Sequence, residues 1–176
     1  MGKRSTGQFD RTPRDYYKTP RSAVEPLLPF LPSEVWYDEP CAGDGTLVDH
    51  LWQLDGGFCS RLSDIEPQAK DIDKIDAFDL TDCKGDMFIS NPPWSRDILH
   101  PLITHLSDIA QTWLLFDSDW LFTKQSHEYM KRCHKIVPVG RVKWIEGSKH
   151  TGKDNAMWAL FDVNYFGPAE FYGRDK

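Results

Sequence analysis

The sequence predicts an α/β fold whose mostly parallel central sheet closes in an antiparallel hairpin. Three observations carry that expectation. From residue 33 to residue 136, short apolar runs alternate with segments of helical spacing, as strands joined by helical crossovers do. Two further apolar runs near the C-terminal end have no helix between them, which is the pattern of a hairpin. Every chemically suggestive motif falls at a predicted strand end, where open parallel sheets bind ligands near the reversal of strand order.

The elements follow in order. Residues 1–15 are polar and read as a basic, mobile segment ahead of one domain spanning 16–176. "RSAVEPLLPFL" (21–31) has helical spacing but is cut by Pro26 and Pro29, so only a short helix is expected. "SEVWYDEP" (33–40) reads as the first strand, "CAGDG" as a turn, and "TLVDHLWQL" (46–54) as an amphipathic helix. "GFCSRLSDIEP" (57–67) is a second strand ended by Pro67, "IDAFDL" (75–80) a short third, and "GDMFISNPPW" (85–94) holds a fourth. "RDILHPLITHLSDIA" (96–110) is helical, with Pro101 in its early turns. "TWLLFDS" (112–118) is a fifth strand, and "SDWLFTKQSHEYMKRCHKI" (118–136) a helix with Ser118 or Asp119 as N-cap. "VGRVKWIEG" (139–147) and "NAMWALFDV" (155–163) form the hairpin, joined by the basic loop "SKHTGKD".

Composition narrows the function classes. The 176 residues suffice for one real core. No run of about 18 apolar residues is present, so no membrane partner is expected, and the N-terminus lacks a signal-peptide core. Cys41, Cys59, Cys83 and Cys133 are scattered without a C-x-x-C pair, which implies free thiols in a reducing cytoplasm. His127 and His134 lie seven apart with no carboxylate at matched spacing, so no metal site is expected. The net charge of −6 hides an uneven distribution. Residues 1–21 carry +4 and residues 141–153 carry +3, leaving −13 for the rest. Local positive ends, rather than the global charge, decide where a phosphate backbone sits.

Four stretches point to chemistry. In "YDEPCAGDG", Gly43 and Gly45 follow a strand and precede a helix, where glycine lets the backbone turn sharply and approach a ligand. No lysine follows, so this is not a phosphate loop, and Glu39 and Asp44 favour a cationic ligand such as an ammonium or sulfonium. "LSDIEP" puts Asp64, or alternatively Glu66, where a carboxylate takes ribose hydroxyls. In "DAFDL", Asp76, or alternatively Asp79, can accept from an adenine amine while Phe78 packs on its ring. "FISNPPWS" runs an apolar strand into Asn91, Pro92, Pro93 and Trp94. An exocyclic base amine is a poor nucleophile because its lone pair is delocalised. The Asn91 carboxamide oxygen and the Pro92 carbonyl can accept its two protons and free that lone pair, while Trp94 offers a face to a flipped-out base.

With those residues in view, the chain resembles the amino-methylating nucleic-acid methyltransferases that use S-adenosylmethionine on adenine N6 or cytosine N4. "NPPW" matches their [DNS]-P-P-[YFW] tetrapeptide, "EPCAGDG" their D/E-x-x-x-G-x-G loop, and "DYYKTP" their Tyr/Phe-x-Thr-Pro segment. The resemblance covers residues 16–163 and implies a Rossmann-like class I methyltransferase fold. It implies cofactor contacts from Tyr17, Thr19, Pro20, Glu39, Pro40, Ala42, Gly43, Gly45, Asp64, Asp76, Phe78 and Asn91. It also implies a catalytic Asn91-Pro92-Pro93-Trp94 corner. DNA is the expected partner and adenine N6 the expected acceptor, in a bacterial or phage-infected cytoplasm, since small phage and prophage members are of this kind. Arg141, Lys143, Lys149, His150 and Lys153 are the candidate phosphate contacts. Restriction-associated members usually carry a large target-recognition domain, which this sequence lacks. Relaxed specificity, a specificity partner or a homodimer is therefore implied. Cytosine N4, RNA and a protein glutamine remain alternative acceptors. A non-catalytic binding module and an enzyme that consumes the cofactor without methyl transfer remain alternative classes. Trp113, Trp120, Trp144 and Trp158 read as core or half-buried aromatics, and Asp117 and Asp119 as borders of the cleft.

Overall fold

The computed structural model describes residues 17–145, 147 and 151–174. The basic segment 1–15 and the candidate phosphate contacts Lys149 and His150 lie outside the described residues. Eight strands form one sheet: β1 (Trp36–Glu39), β2 (Phe58–Asp64), β3 (Asp73–Lys74), β4 (Met87–Ser90), β5 (Gln111–Asp117), β6 (Cys133–Arg141), β7 (Asn155–Phe161) and β8 (Glu170–Phe171). Their spatial order is β3-β2-β1-β4-β5-β7-β6-β8. The first five pair in parallel, whereas β7 runs antiparallel to both β5 and β6. Strand order reverses between β1 and β4, which brings the tips of those two strands side by side. The expected parallel sheet with an antiparallel hairpin is thus observed.

Central strands buried on both faces read as unbroken apolar runs rather than alternating ones. Met87–Ser90 and Thr112–Phe116 are buried throughout, and their side chains sort to opposite faces. Ile89, Trp113 and Leu115 join Leu47 and Leu51 of α2 (Thr46–Gln53) and Ala23 and Val24 of α1 (Arg21–Val24) on one face. Phe88, Leu114 and Phe116 meet Leu99, Leu102, Ile103 and Leu106 of α3 (Arg96–Ile109) on the other. Two buried indoles complete hydrogen bonds from within this core, Trp158 Nε1 to the Ala23 carbonyl at 2.7 Å and Trp120 Nε1 to His100 Nε2 at 2.9 Å. Beneath β1 and β2, the buried Asp38 pairs with Arg61 at 2.7 Å and accepts the N–H groups of Lys84 and Gly85.

Four expectations need correction. Residues 118–136 do not form one helix. They form 3-10 turns over Ser118–Phe122 and Lys124–Ser126, then the short α4 (His127–Met130), and Cys133 already starts β6. The cause is local: Thr123 Oγ1 donates to the Trp120 carbonyl, and Ser126 Oγ to those of Leu121 and Thr123, competing with helical bonding. The cap is Asp117, which accepts from the Trp120 N–H, rather than Ser118 or Asp119. His127 and His134 accordingly sit on different elements, α4 and β6. The first hairpin strand spans Cys133–Arg141 rather than 139–147, because residues 133–136, expected at the end of a helix, already pair with β7, and the strand takes up Pro138 and Gly140 in an irregular register, with Gly140 at φ 88°. "IDAFDL" is a 3-10 turn over Ala77–Asp79, while the third strand is Asp73–Lys74. The edge strand β8, parallel to β6, has too short a pattern to be seen in sequence.

Candidate active site

The site is built where β1 and β4 end together. Glu39 is the last residue of β1 and only 1% exposed. Its Oε1 accepts the Ser90 hydroxyl at the tip of β4 and the Cys41 N–H at 3.0 Å, so one carboxylate ties the two strand ends together. Its Oε2 is buried and has no hydrogen-bond partner among the described residues. Burial pushes the carboxyl up to about 8, although the bonds from Ser90 and Cys41 work in the opposite direction.

The glycine loop between β1 and α2 is latched from several sides. Gly43 (φ 58°) and Gly45 (φ 86°) occupy left-handed conformations that let the chain turn directly from strand to helix. Asp64, at the tip of β2, accepts the Gly43 N–H at 2.8 Å with Oδ2 and the Glu66 N–H at 2.7 Å with Oδ1. Asp44 meets Lys18 at 2.7 Å and accepts both the hydroxyl and the N–H of Thr46. Burial raises the Asp44 carboxyl, but Lys18 and Thr46 outweigh it and hold the group below the usual range. The ion pair draws the Tyr17–Thr19 segment over the loop.

Between these parts lies a cavity of about 920 Å³. Of the residues predicted to contact a cofactor, Tyr17, Thr19, Glu39, Pro40, Ala42, Gly43, Asp64, Asp76, Phe78 and Asn91 all line it. The alternate carboxylate Glu66 lines it as well, and Phe78 is 41% exposed at its wall. Asp76 uses one oxygen to cap its own turn, accepting the Phe78 N–H at 3.0 Å. Pro20 and Gly45 are not among the lining residues. Pro20 instead precedes α1 as its N-cap, and Gly45 faces Leu62 and Ile72.

A second cavity of about 530 Å³ adjoins the first, and both are lined by Tyr17, Asn91 and Ser95. Trp94, Trp144, Arg96, Asp117, Gly152, Lys153 and Asp154 complete its wall. Asn91 is held at both ends, with Nδ2 donating to Thr19 Oγ1 at 3.0 Å and Oδ1 accepting from Trp94 Nε1 at 3.2 Å. Pro93 lines the first cavity, while Pro92 is buried and lines neither. The Trp94 ring meets Trp144 edge-on, with centroids 5.3 Å apart at 84°. Trp113, Trp120 and Trp158 are core residues, whereas Trp144 is half-buried in the cavity wall. Gly152 makes room for it, since a Cβ there would come within 3.1 Å of the indole.

Sequence reasoning did not find Arg96, Ser95 or Asp154. Arg96 pairs with Asp117 at 2.8 Å, across a separation that no local pattern reveals. The expected cleft border at Asp117 is therefore a wall of the second cavity, while Asp119 lines neither cavity. Of the basic candidates, Lys153 lines the second cavity, and Arg141 and Lys143 are exposed away from both linings. Among the described residues, no group of three His, Cys, Asp or Glu side chains is arranged to hold a metal, and no helix is long and apolar enough to cross a membrane.

No family model matches the chain, and no curated protein matches it. Solved structures do resemble it. A dimethyladenosine transferase from Plasmodium falciparum superposes with a TM-score of 0.52 at 15% identity, over 84% of this chain and 62% of that one. A chain of a type I restriction-modification complex gives 0.58 at 12% identity, over 88% of this chain and 44% of the other. A candidate RNA methyltransferase from Pyrococcus horikoshii gives 0.54 at 18% identity, over 83% and 86%. This chain thus spans less than two thirds of the first two structures. Strand order, the reversed β7 and these likenesses define a Rossmann-like α/β fold, which this chain shares with those solved structures.

Proposed function

We propose that residues 16–176 form a single S-adenosylmethionine-dependent methyltransferase domain acting on the exocyclic amine of a nucleic-acid base, adenine N6 in DNA first. The observation that carries this reading is that Asn91 stands in the shared wall of two adjoining cavities. The larger has the size of a cofactor site and a donor set suited to an adenosyl amino acid. Its buried Glu39 keeps one oxygen unpartnered, and a bound ammonium group would draw off the carboxyl proton and hold that oxygen as an acceptor. When bound, S-adenosylmethionine supplies an electrophilic methyl on a sulfonium that is a good leaving group.

The chain's own residues then have distinct tasks. Tyr17, Thr19, Pro40, Ala42 and Gly43 enclose the amino-acid end, Asp64 or Glu66 accepts ribose hydroxyls, and Asp76 with Phe78 holds the adenine. Pro20 and Gly45 support the site by shaping the two segments that cover it. Asn91 Oδ1 accepts a hydrogen bond from the target amine, which frees its lone pair without a strong base, and the buried Pro92 stiffens the corner that holds Asn91. Placement accounts for most of the rate. The perpendicular indoles of Trp94 and Trp144 form a corner that suits one planar base. Lys153, Arg141, Lys143, Lys149 and His150 meet phosphates outside it, and a homodimer or specificity partner supplies sequence recognition.

Tritiated S-adenosylmethionine with unmethylated double-stranded DNA, single-stranded DNA, RNA and a protein extract tests the reading. Label recovered as N6-methyldeoxyadenosine is the expected result. N4-methyldeoxycytidine or labelled RNA would change the acceptor, and labelled protein alone would overturn the nucleic-acid assignment. Cofactor binding with no labelled product would favour a non-catalytic module.

A further inference from the structure

Trp94 Nε1 and Thr19 Oγ1 grip opposite ends of the Asn91 carboxamide, at 3.2 and 3.0 Å. The two partners are not equivalent. An indole N–H only donates, whereas a threonine hydroxyl donates or accepts. The threonine therefore tolerates either orientation of the amide. The indole does not, because a flipped Asn91 would set N–H against N–H. Trp94 itself is fixed in advance: it packs against both core clusters and meets Trp144 edge-on.

We propose that Trp94 is a positioning residue for Asn91, its indole N–H locking the carboxamide so that the second lone pair of Oδ1 is offered to the acceptor amine. Thr19 holds the nitrogen end. The inference rests on the reading of Asn91 given above. It is separate from base stacking, which needs the ring but not its N–H. Phenylalanine at this position would keep a face for the base and lose the lock. The link also joins the Tyr17–Thr19 segment to the tip of β4, across 72 positions of sequence, so order in that segment supports the geometry of Asn91.

The test uses the full chain and the variants Trp94→Phe, Asn91→Ala, Thr19→Val and Thr19→Ser. In 15N-labelled protein, the Trp94 indole resonance is identified by its loss in Trp94→Phe. Its hydrogen exchange is expected to be slowed in the wild type and about ten-fold faster in Asn91→Ala, a comparison that leaves Trp94 unchanged. The Asn91 carboxamide protons should lose protection in Trp94→Phe and Thr19→Val and regain it in Thr19→Ser. In the methylation assay, Trp94→Phe should lower kcat about ten-fold while KM for the acceptor stays within about two-fold, matching one hydrogen bond lost from positioning. Equal exchange in wild type and Asn91→Ala would overturn the lock, as would a Trp94→Phe loss confined to KM. If the wild type methylates no acceptor, the proposed function fails. The exchange results then decide the lock alone: protection lost in Trp94→Phe supports it, and unchanged protection overturns it.

Discussion

Replacing Glu39 by glutamine should remove a pH dependence built into the strand junction. The folded state holds the Glu39 proton up to about pH 8, whereas the unfolded chain releases it near its ordinary value of 4.5. Between those values the folded state binds more protons, so stability falls as pH rises through the window and levels off above it. At about 1.4 kcal/mol per pH unit, the loss is roughly 5 kcal/mol at most, and relaxation around the charge lowers it. Glutamine keeps an oxygen for Ser90 and for the Cys41 N–H but does not ionise. Urea unfolding followed by circular dichroism at each pH unit from 5 to 9 reads the difference. Near pH 5 the two proteins should be similarly stable, and at pH 9 the variant should be the more stable by a few kcal/mol. Parallel curves across the whole range would refute the assignment of a buried, late-ionising carboxyl. A cation bound beside Glu39 should restore the wild type's stability above pH 8, and the variant should bind S-adenosylmethionine more weakly.

Further expectations concern separate parts of the molecule. Asn91→Ala should abolish methyl transfer while cofactor affinity, measured by calorimetry, stays near wild type. Normal turnover would remove Asn91 from the chemistry. Asp64→Ala should weaken cofactor binding and loosen the glycine loop, since one carboxylate oxygen accepts the Gly43 N–H and the other the Glu66 N–H of its own turn. If Glu66→Ala weakens binding while Asp64→Ala leaves it intact, Glu66 takes the ribose. Asp38→Ala leaves the Lys84 and Gly85 N–H groups without their acceptor while Arg61 keeps Asp82, and should cost about 2–4 kcal/mol in denaturant unfolding. Trp144→Ala should raise KM for a nucleic-acid acceptor about ten-fold with little change in cofactor affinity, and an unchanged KM would exclude Trp144 from acceptor binding.

Much of the sheet could be read from local pattern. Buried central strands are mostly apolar, so β4 and β5 were evident in "MFIS" and "TWLLF", and the helices between strands showed their spacing. The loop and corner residues were also legible, because glycines at positive φ and consecutive prolines leave marks in a short window. Reading failed where side chains competed with the backbone. Thr123 and Ser126 broke up an apparent helix, and residues 133–138, Pro138 included, went into β6 instead.

The site divides along the same line. Residue types and their order pointed to Glu39, Gly43, Asp64, Asp76 and Asn91, and the structure brings all five to one cavity. Contacts between distant segments supplied the rest: Thr19 with Asn91, Arg96 with Asp117, Lys18 with Asp44, and Trp144 against Trp94. Such pairs leave no periodic trace. They exist because folding brings the β1 and β4 tips together with segments distant in sequence, where half-buried polar groups such as Asn91 and Asp117 find partners. The cavity beside Asn91 is shaped by those partners, not by the tetrapeptide alone.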